Sequence, residues 1–197
     1  MSEYRLTPTP ALGQGNSVPE KVATYELEEN RSLALASVAA RSTHGEEVAA
    51  NLAALLGSAV PQAGTLVEGE DHVAFWIGPD QWMVAASHDD HELLARELKE
   101  RFGDTASVTE QNDGWVCLDV TGSDLPVVFE RLAAVDAQTL EAGSAVRTVI
   151  EHVGCFLLCL EKDRHYRLFA GRSFAHSFHH AILTALKSTV AIQETHG

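Results

Sequence analysis

The sequence predicts an α+β fold: antiparallel sheets with helices, arranged as ferredoxin-like units. Three observations carry this. Strand-like stretches come mostly in pairs between single helix-like stretches, in the order β-α-β-β-α-β-β-α-β-β-β-α, a grouping that suits antiparallel sheets with helices on one face. Gly-Pro-Asp-Gln and Asn-Asp-Gly segments supply turns that fold strands back. The 197 residues are 45% hydrophobic, enough for a core in one domain or two small ones.

Residues 1–22 are rich in Pro, Gly, Ser and Thr and have little apolar periodicity; they read as a flexible arm. Residues 23–190 form the folded region, divisible into subdomains at 23–110 and 111–190, and 191–197 read as a frayed tail. "RSLALASVA" is a strand. In "THGEEVAANLAALLG", Thr43 and Glu46 fit a capping box. Val48, Leu52, Leu55 and Leu56 make the helical stripe, and Gly57 is the stop.

"DHVAFWIGPDQWMVAA" is a hairpin turning at Gly78–Gln81. "DDHELLARELKERFG" is a helix capped by Asp89 against Glu92, with Leu94, Leu98 and Phe102 inward and Gly103 as stop. "ASVTEQNDGWVCLDV" reads as a second hairpin around Asn112-Asp113-Gly114. "GSDLPVVFERLAAV" is a third helix with Ser123 as cap and Leu125, Val128, Phe129 and Leu132 inward. Three strands follow: "AVRTVIEHV", "CFLLCLE" and "HYRLFAG". The last two are joined by a Glu161–Arg164 turn, and a fourth helix opens at Ser173.

Composition excludes several classes. The net charge is −14, and the 14 Lys and Arg are scattered, so no basic nucleic-acid face is expected. "LALASVAA" and "CFLLCL" fall short of the roughly 20 apolar residues of a membrane span. The N-terminus lacks a basic start and an apolar signal core, which predicts a cytoplasmic protein. Cys117, Cys155 and Cys159 are odd in number and form no C-x-x-C. They read as buried strand residues, with Cys155 and Cys159 on one face.

Histidines at 176, 179 and 180 raise the question of a metal site. On a helix with Phe174, Phe178, Ala181, Ile182 and Ala185 inward, they fall on the solvent side. His176 and His180 are i, i+4, but no Asp, Glu or Cys lies within a turn and H-E-x-x-H is absent. No physiological metal is expected there. Leu183 lies in the middle of this face and reads as an exposed contact residue. His88 and His91 read as a solvated helix start. No phosphate loop, dinucleotide fingerprint or G-x-S-x-G elbow occurs, so no catalytic or cofactor-binding residue emerges.

"FWIGPDQWMV" resembles the tryptophan-flanked Gly-Pro-Asp hairpin of the gamma subunit family of heterotetrameric sarcosine oxidase. Trp76, Gly78, Pro79, Asp80 and Trp82 match it, with Gln81 in place of an acid. "LALASVAAR", "LLGSAVPQAG" and "TEQNDGWVCLDVTGSDLPVVFERL" follow the family's order. "AGRSFA" matches its Arg-Ser-Phe-Ala signature at Arg172, Ser173, Phe174 and Ala175. The resemblance covers about residues 25–187.

The resemblance implies a fold related to folate-binding aminomethyltransferase-type domains and a non-catalytic subunit working with alpha, beta and delta subunits. Such complexes demethylate sarcosine oxidatively to glycine, with hydrogen peroxide and formaldehyde or methylene-tetrahydrofolate. FAD, FMN, NAD, tetrahydrofolate and zinc are then expected on the partners and none on this chain. Gly78, Pro79, Asp80 and Ser173 are expected to serve a turn and a helix cap, and Trp76 and Trp82 packing or an interface. Arg172 is expected to meet a carboxylate. A subunit of a related N-methyl amino acid oxidase and a stand-alone folate-binding protein remain as alternatives.

Overall fold

The run from Cys155 to Leu158 buries every residue. A strand can do that only between two packed layers, because alternate side chains point to opposite faces. The computed structural model, which describes residues 9–13 and 19–196, shows both layers. Cys155, Leu157 and Cys159 face a core shared with helices. Phe156 and Leu158 face a second sheet. The two cysteines share a face, as their spacing predicts.

The elements are β1 (Glu20–Val22), β2 (Tyr25–Glu29), β3 (Leu33–Ala40), α1 (Gly45–Leu56), β4 (Leu66–Glu68), β5 (His72–Gly78), β6 (Gln81–Ser87), α2 (Leu94–Phe102) and β7 (Ala106–Glu110). After them come β8 (Trp115–Thr121), α3 (Leu125–Leu132), β9 (Ala145–Ile150), β10 (Val153–Glu161), β11 (His165–Gly171) and α4 (Ala175–His196). Short 3-10 turns occupy Ala137–Thr139 and Arg172–Phe174.

One sheet has the order β4-β5-β6-β3-β7, and its pairs are antiparallel. Leaving aside β4, this is the ferredoxin-like arrangement of a β-α-β-β-α-β unit. The other sheet has the order β1-β2-β8-β11-β10-β9, also antiparallel. It elaborates the pattern by inserting β11 between β8 and β10 and adding β1–β2 at the edge.

The stack therefore has four layers. Helices α1 and α2 cover one outer face, with Val48, Leu52, Leu98 and Phe102 inward. Helices α3 and α4 cover the other, with Leu125, Phe129, Phe178 and Ile182 inward. Between the sheets lies a third apolar layer. Phe75 of one sheet sits at its centre, 5.4 Å from both Phe156 and Phe169 of the other by ring centroids.

Several local expectations change. Asn112-Asp113-Gly114 does not close a hairpin: β7 pairs with β3 and β8 with β2 and β11, so this turn carries the chain from one sheet to the other. Strands β1 and β2 come from the first half of the sequence but join the second sheet. Residues 9–13 and β1 belong to the segment read as an arm, yet Leu12 is buried in the helical core; residues 1–8 and 14–18 lie outside the described residues. The segment from 191 continues α4 as helix to His196.

The caps predicted for the first three helices do not form. The chain enters α1 through Thr43 in a left-handed conformation (φ 74°), which leaves His44 at the N-cap position. Leu93 and Asp124 take those positions in α2 and α3, without side-chain cap bonds. The glycine stops hold: Gly57 is left-handed at φ 64°, and Gly103 donates to Lys99 O.

One charged pair joins the strands of the second sheet. Arg167 Nε and Nη2 donate to the two oxygens of Asp119 at 2.7 and 2.9 Å, and Asn30 Nδ2 adds a 2.8 Å bond. His165 Nε2 stands 3.4 Å away. Both Asp119 and Arg167 lie on the inter-sheet face and are about five-sixths covered (15% and 16% exposed side chains). Burial pushes the Asp119 carboxyl up, but His165 and Arg167 beside it hold it well below the usual carboxylate range.

Two predictions arise. Replacing Phe75 by Ala will cost about 3–5 kcal/mol. Because the two sheets share that layer, tryptophan fluorescence and far-UV circular dichroism will still report one coincident denaturant transition. Asp119→Asn leaves a buried guanidinium short of its counter-charge and will cost about 3–5 kcal/mol. The carboxylate's depressed value makes its stabilisation complete above the unfolded pKa of about 3.9 and progressively lost as pH falls below it. Urea titrations will therefore show a shallower acid limb in Asp119→Asn than in the parent.

Candidate functional site

The Arg-Ser-Phe-Ala segment forms a corner. Strand β11 ends at Gly171, and the Arg172–Phe174 turn bends the chain into α4. The Arg172 backbone N–H donates to Gly114 O at 3.0 Å, tying the corner to the inter-sheet crossing. Its guanidinium Nη2 donates to Thr9 O. The expected carboxylate is thus replaced by a backbone carbonyl of the chain's own N-terminal segment. That segment is held a second time: the Glu29 carboxylate accepts the N–H groups of Ala11 (2.7 Å) and Leu12 (3.1 Å).

Ser173 is exposed and makes no cap bond; Ser177 Oγ donates to Phe174 O instead. Phe174 is 51% exposed and off the core face, which starts with Ala175 and Phe178. The cause is the 3-10 turn, whose three-residue period shifts Phe174 out of phase with α4. Leu183, expected at the surface, is half-buried and packs on the helical core.

Beside this corner opens a cavity of about 690 Å³, walled by Pro10, Glu29, Asn30, Trp115, Cys117 and Arg172 among others. Such a size would admit a small organic molecule. Two of its charged walls are already engaged, Glu29 by two amides and Arg172 by Thr9. Burial and the neighbouring Asp119 raise the pKa of its Cys117 thiol well above the ordinary range, which disfavours the thiolate. Cys155 and Cys159 are likewise pushed up by burial, to about 12 and about 11.

The Gly-Pro-Asp turn does structural work. Gly78 pairs with Gln81 across Pro79 and Asp80, and Asp80 adopts φ 53°, a left-handed conformation that Asp tolerates. Asp80 O accepts Ala40 N–H at 2.9 Å. The Asp80 side chain lies so close to α1 that a Cβ on Gly45 would stand 3.0 Å from Oδ1. The carboxylate therefore sits at the positive end of α1, and Gly45 leaves room for it. Trp76 and Trp82 are cross-strand partners at the α1–α2 core. Trp82 is buried, and its Nε1 donates to Pro61 O at 2.9 Å; Trp76 is half-buried.

The α4 histidines do not converge. His179 Nε2 faces Glu20 of β1 at 3.3 Å, and its pKa is lowered by burial against that carboxylate's pull. His176 and His180 are exposed. Among the described residues a three-donor cluster stands elsewhere. One ligand atom each of His72, His91 and Glu97 lie within 4.8 Å of one another. The first residue of β5, the loop before α2 and α2 itself bring them together. Spacings of nineteen and six residues match no metal motif, which is why the sequence hides the cluster.

Comparison with known proteins places the chain. A family model described as the sarcosine oxidase, gamma subunit family matches residues 41–187. No curated protein sequence matches. Among solved structures, a chain of the heterotetrameric sarcosine oxidase from Corynebacterium sp. U-96, in complex with pyrrole 2-carboxylate, superposes with a TM-score of 0.69 at 20% identity. That match covers 83% of this chain and 84% of the other. The glycine cleavage system aminomethyltransferase T from Bartonella henselae superposes with a TM-score of 0.57 at 14% identity, over 80% of this chain and 45% of its own. The fold is thus one shared with both proteins, and the chain belongs to the sarcosine oxidase gamma subunit family.

Proposed function

We propose that the chain is a non-catalytic structural subunit of a heterotetrameric sarcosine oxidase complex, assembled with alpha, beta and delta partners. The family match over residues 41–187 carries this reading. The complex takes sarcosine, oxygen and water to glycine, formaldehyde and hydrogen peroxide, or passes the methyl carbon to tetrahydrofolate. In this reading FAD, FMN, NAD, tetrahydrofolate and zinc sit on the partner chains. The signature residues support a structural role. Asp80, Trp82 and Arg172 are engaged within the chain, leaving Phe174 as the large apolar member of the signature that faces outward.

A tagged chain expressed with its partners will co-purify with larger flavin-coloured subunits. Phe174→Glu, at a half-exposed position outside the buried core clusters, will lower the recovered complex about tenfold or more, as loss of a buried aromatic anchor does. Arg172→Ala removes one of the two anchors of the N-terminal segment and will lower it less. A second reading rests on the cavity at Trp115 together with the aminomethyltransferase-like fold: a stand-alone folate-binding protein. A colourless, solitary chain whose tryptophan fluorescence is quenched by stoichiometric tetrahydrofolate would replace the first reading with this one.

A further inference from the structure

We infer that His72, His91 and Glu97 form a binding site for one zinc-class divalent transition-metal ion on the outer edge of the α1–α2 half. The donor set is two imidazole nitrogens and one carboxylate oxygen, a combination suited to borderline cations such as Zn²⁺ and Co²⁺. The three ligand atoms lie within 4.8 Å of one another. Donors around a tetrahedral zinc stand about 3.4 Å apart at metal–ligand distances near 2 Å, so side-chain rotation of about an ångström closes the shell. Water would fill the fourth position.

The cluster is assembled by the fold and is not an accident of a flexible surface. His72 is fixed as the first residue of β5, paired with Ala86. The backbone N–H of His91 donates to Ser87 O at 2.9 Å, holding the loop between β6 and α2. The His91 Nδ1 to Glu97 Oε2 distance is 2.7 Å, and the two imidazole rings lie 4.7 Å apart by centroids, tilted at 52°. Both histidines are half-buried, while Glu97 is open to solvent and leaves an entry path.

An ion here would tie β5 to the loop before α2 and to α2, adding to the His91–Glu97 contact that already joins the last two. The α4 histidines lack this geometry, since His179 is turned to Glu20 and His176 and His180 are exposed.

The test is titration of the full chain, free of any polyhistidine tag and stripped with chelator, with Co²⁺ and Zn²⁺. Cobalt absorption and calorimetry are the readouts. One ion per chain is expected, with the intense visible bands of four-coordinate cobalt and a rise in thermal midpoint with free Zn²⁺. His72→Ala and His91→Ala should weaken binding by more than about a hundredfold, and Glu97→Gln by about tenfold, with circular dichroism in chelator unchanged. The isosteric, half-exposed Glu97→Gln keeps the test valid if a histidine variant misfolds. The double variant His176→Ala with His180→Ala should bind as the parent does. Absence of uptake, or uptake lost in that double variant and retained without His72 and His91, would overturn the site.

Discussion

Everything in this molecule hangs on the apolar layer between its two sheets. Each sheet has one face covered by a pair of helices, and its other face has only the opposing sheet to cover it. Leu35, Phe75 and Met83 from one side and Phe156, Leu158 and Phe169 from the other fill that space. At about 25 cal/mol per Å² of apolar area, exposing these rings to water would be costly for either half. The layer is apolar at its centre and becomes polar towards its margin, where Arg167 and Asp119 meet. A charge in that position is tolerable because the partner is bidentate and Asn30 completes the shell. The aromatic centre supplies the energy. The ion pair at the margin fixes how β8 and β11 pair.

This arrangement explains which parts of the fold were legible. Local signals act through local structure. Gly-Pro-Asp produces the β5–β6 hairpin, Gly57 and Gly103 end their helices, and the stripes Val48–Leu52–Leu56 and Leu94–Leu98–Phe102 find the core. Pairing partners are a different matter. Asn112-Asp113-Gly114 has the chemistry of a hairpin turn, yet the same residues serve a crossing between sheets. There the Asn112 side chain accepts Leu35 N–H at 2.6 Å and the Gln111 backbone N–H donates to Leu35 O, so the turn is strapped to β3. Nothing within five residues distinguishes these outcomes. Strand β2 was missed for a related reason: Tyr25 and Leu27 alternate with acids over only five residues, and their burial is decided by β8, some ninety residues away.

The site was less legible than the fold, and the errors share a cause. Phe174 and Leu183 were placed by extending an α-helical wheel back to Ser173. A 3-10 turn occupies Arg172–Phe174, so the wheel starts out of phase. Leu183 is covered as well because β1, from the start of the chain, lies along α4. There Val22 packs at the rim of the same core and Glu20 reaches His179. Arg172 was matched to a carboxylate because a guanidinium suits one; its partner is the Thr9 carbonyl, which no spacing rule could identify.

The signature residues can be sorted by asking what each already touches. A residue whose polar atoms and apolar area are satisfied within the chain needs no partner to account for it. Pro79 and Asp80 make the two-residue turn between Gly78 and Gln81. Asp80 joins that turn to β3 and to the start of α1, and Trp82 reaches Pro61 across the loop that follows α1. Arg172 binds both the N-terminal segment and the crossing at Gly114. These account for the hairpin and for most of the corner. What they leave is an aromatic ring, Phe174, half in water on a rigid turn held from two sides. A large apolar side chain on a preorganised element loses little entropy on docking and gains the whole of its buried area. The corner is therefore best understood as a fixed mount, built from residues that look functional, for one ring that the chain itself leaves uncovered.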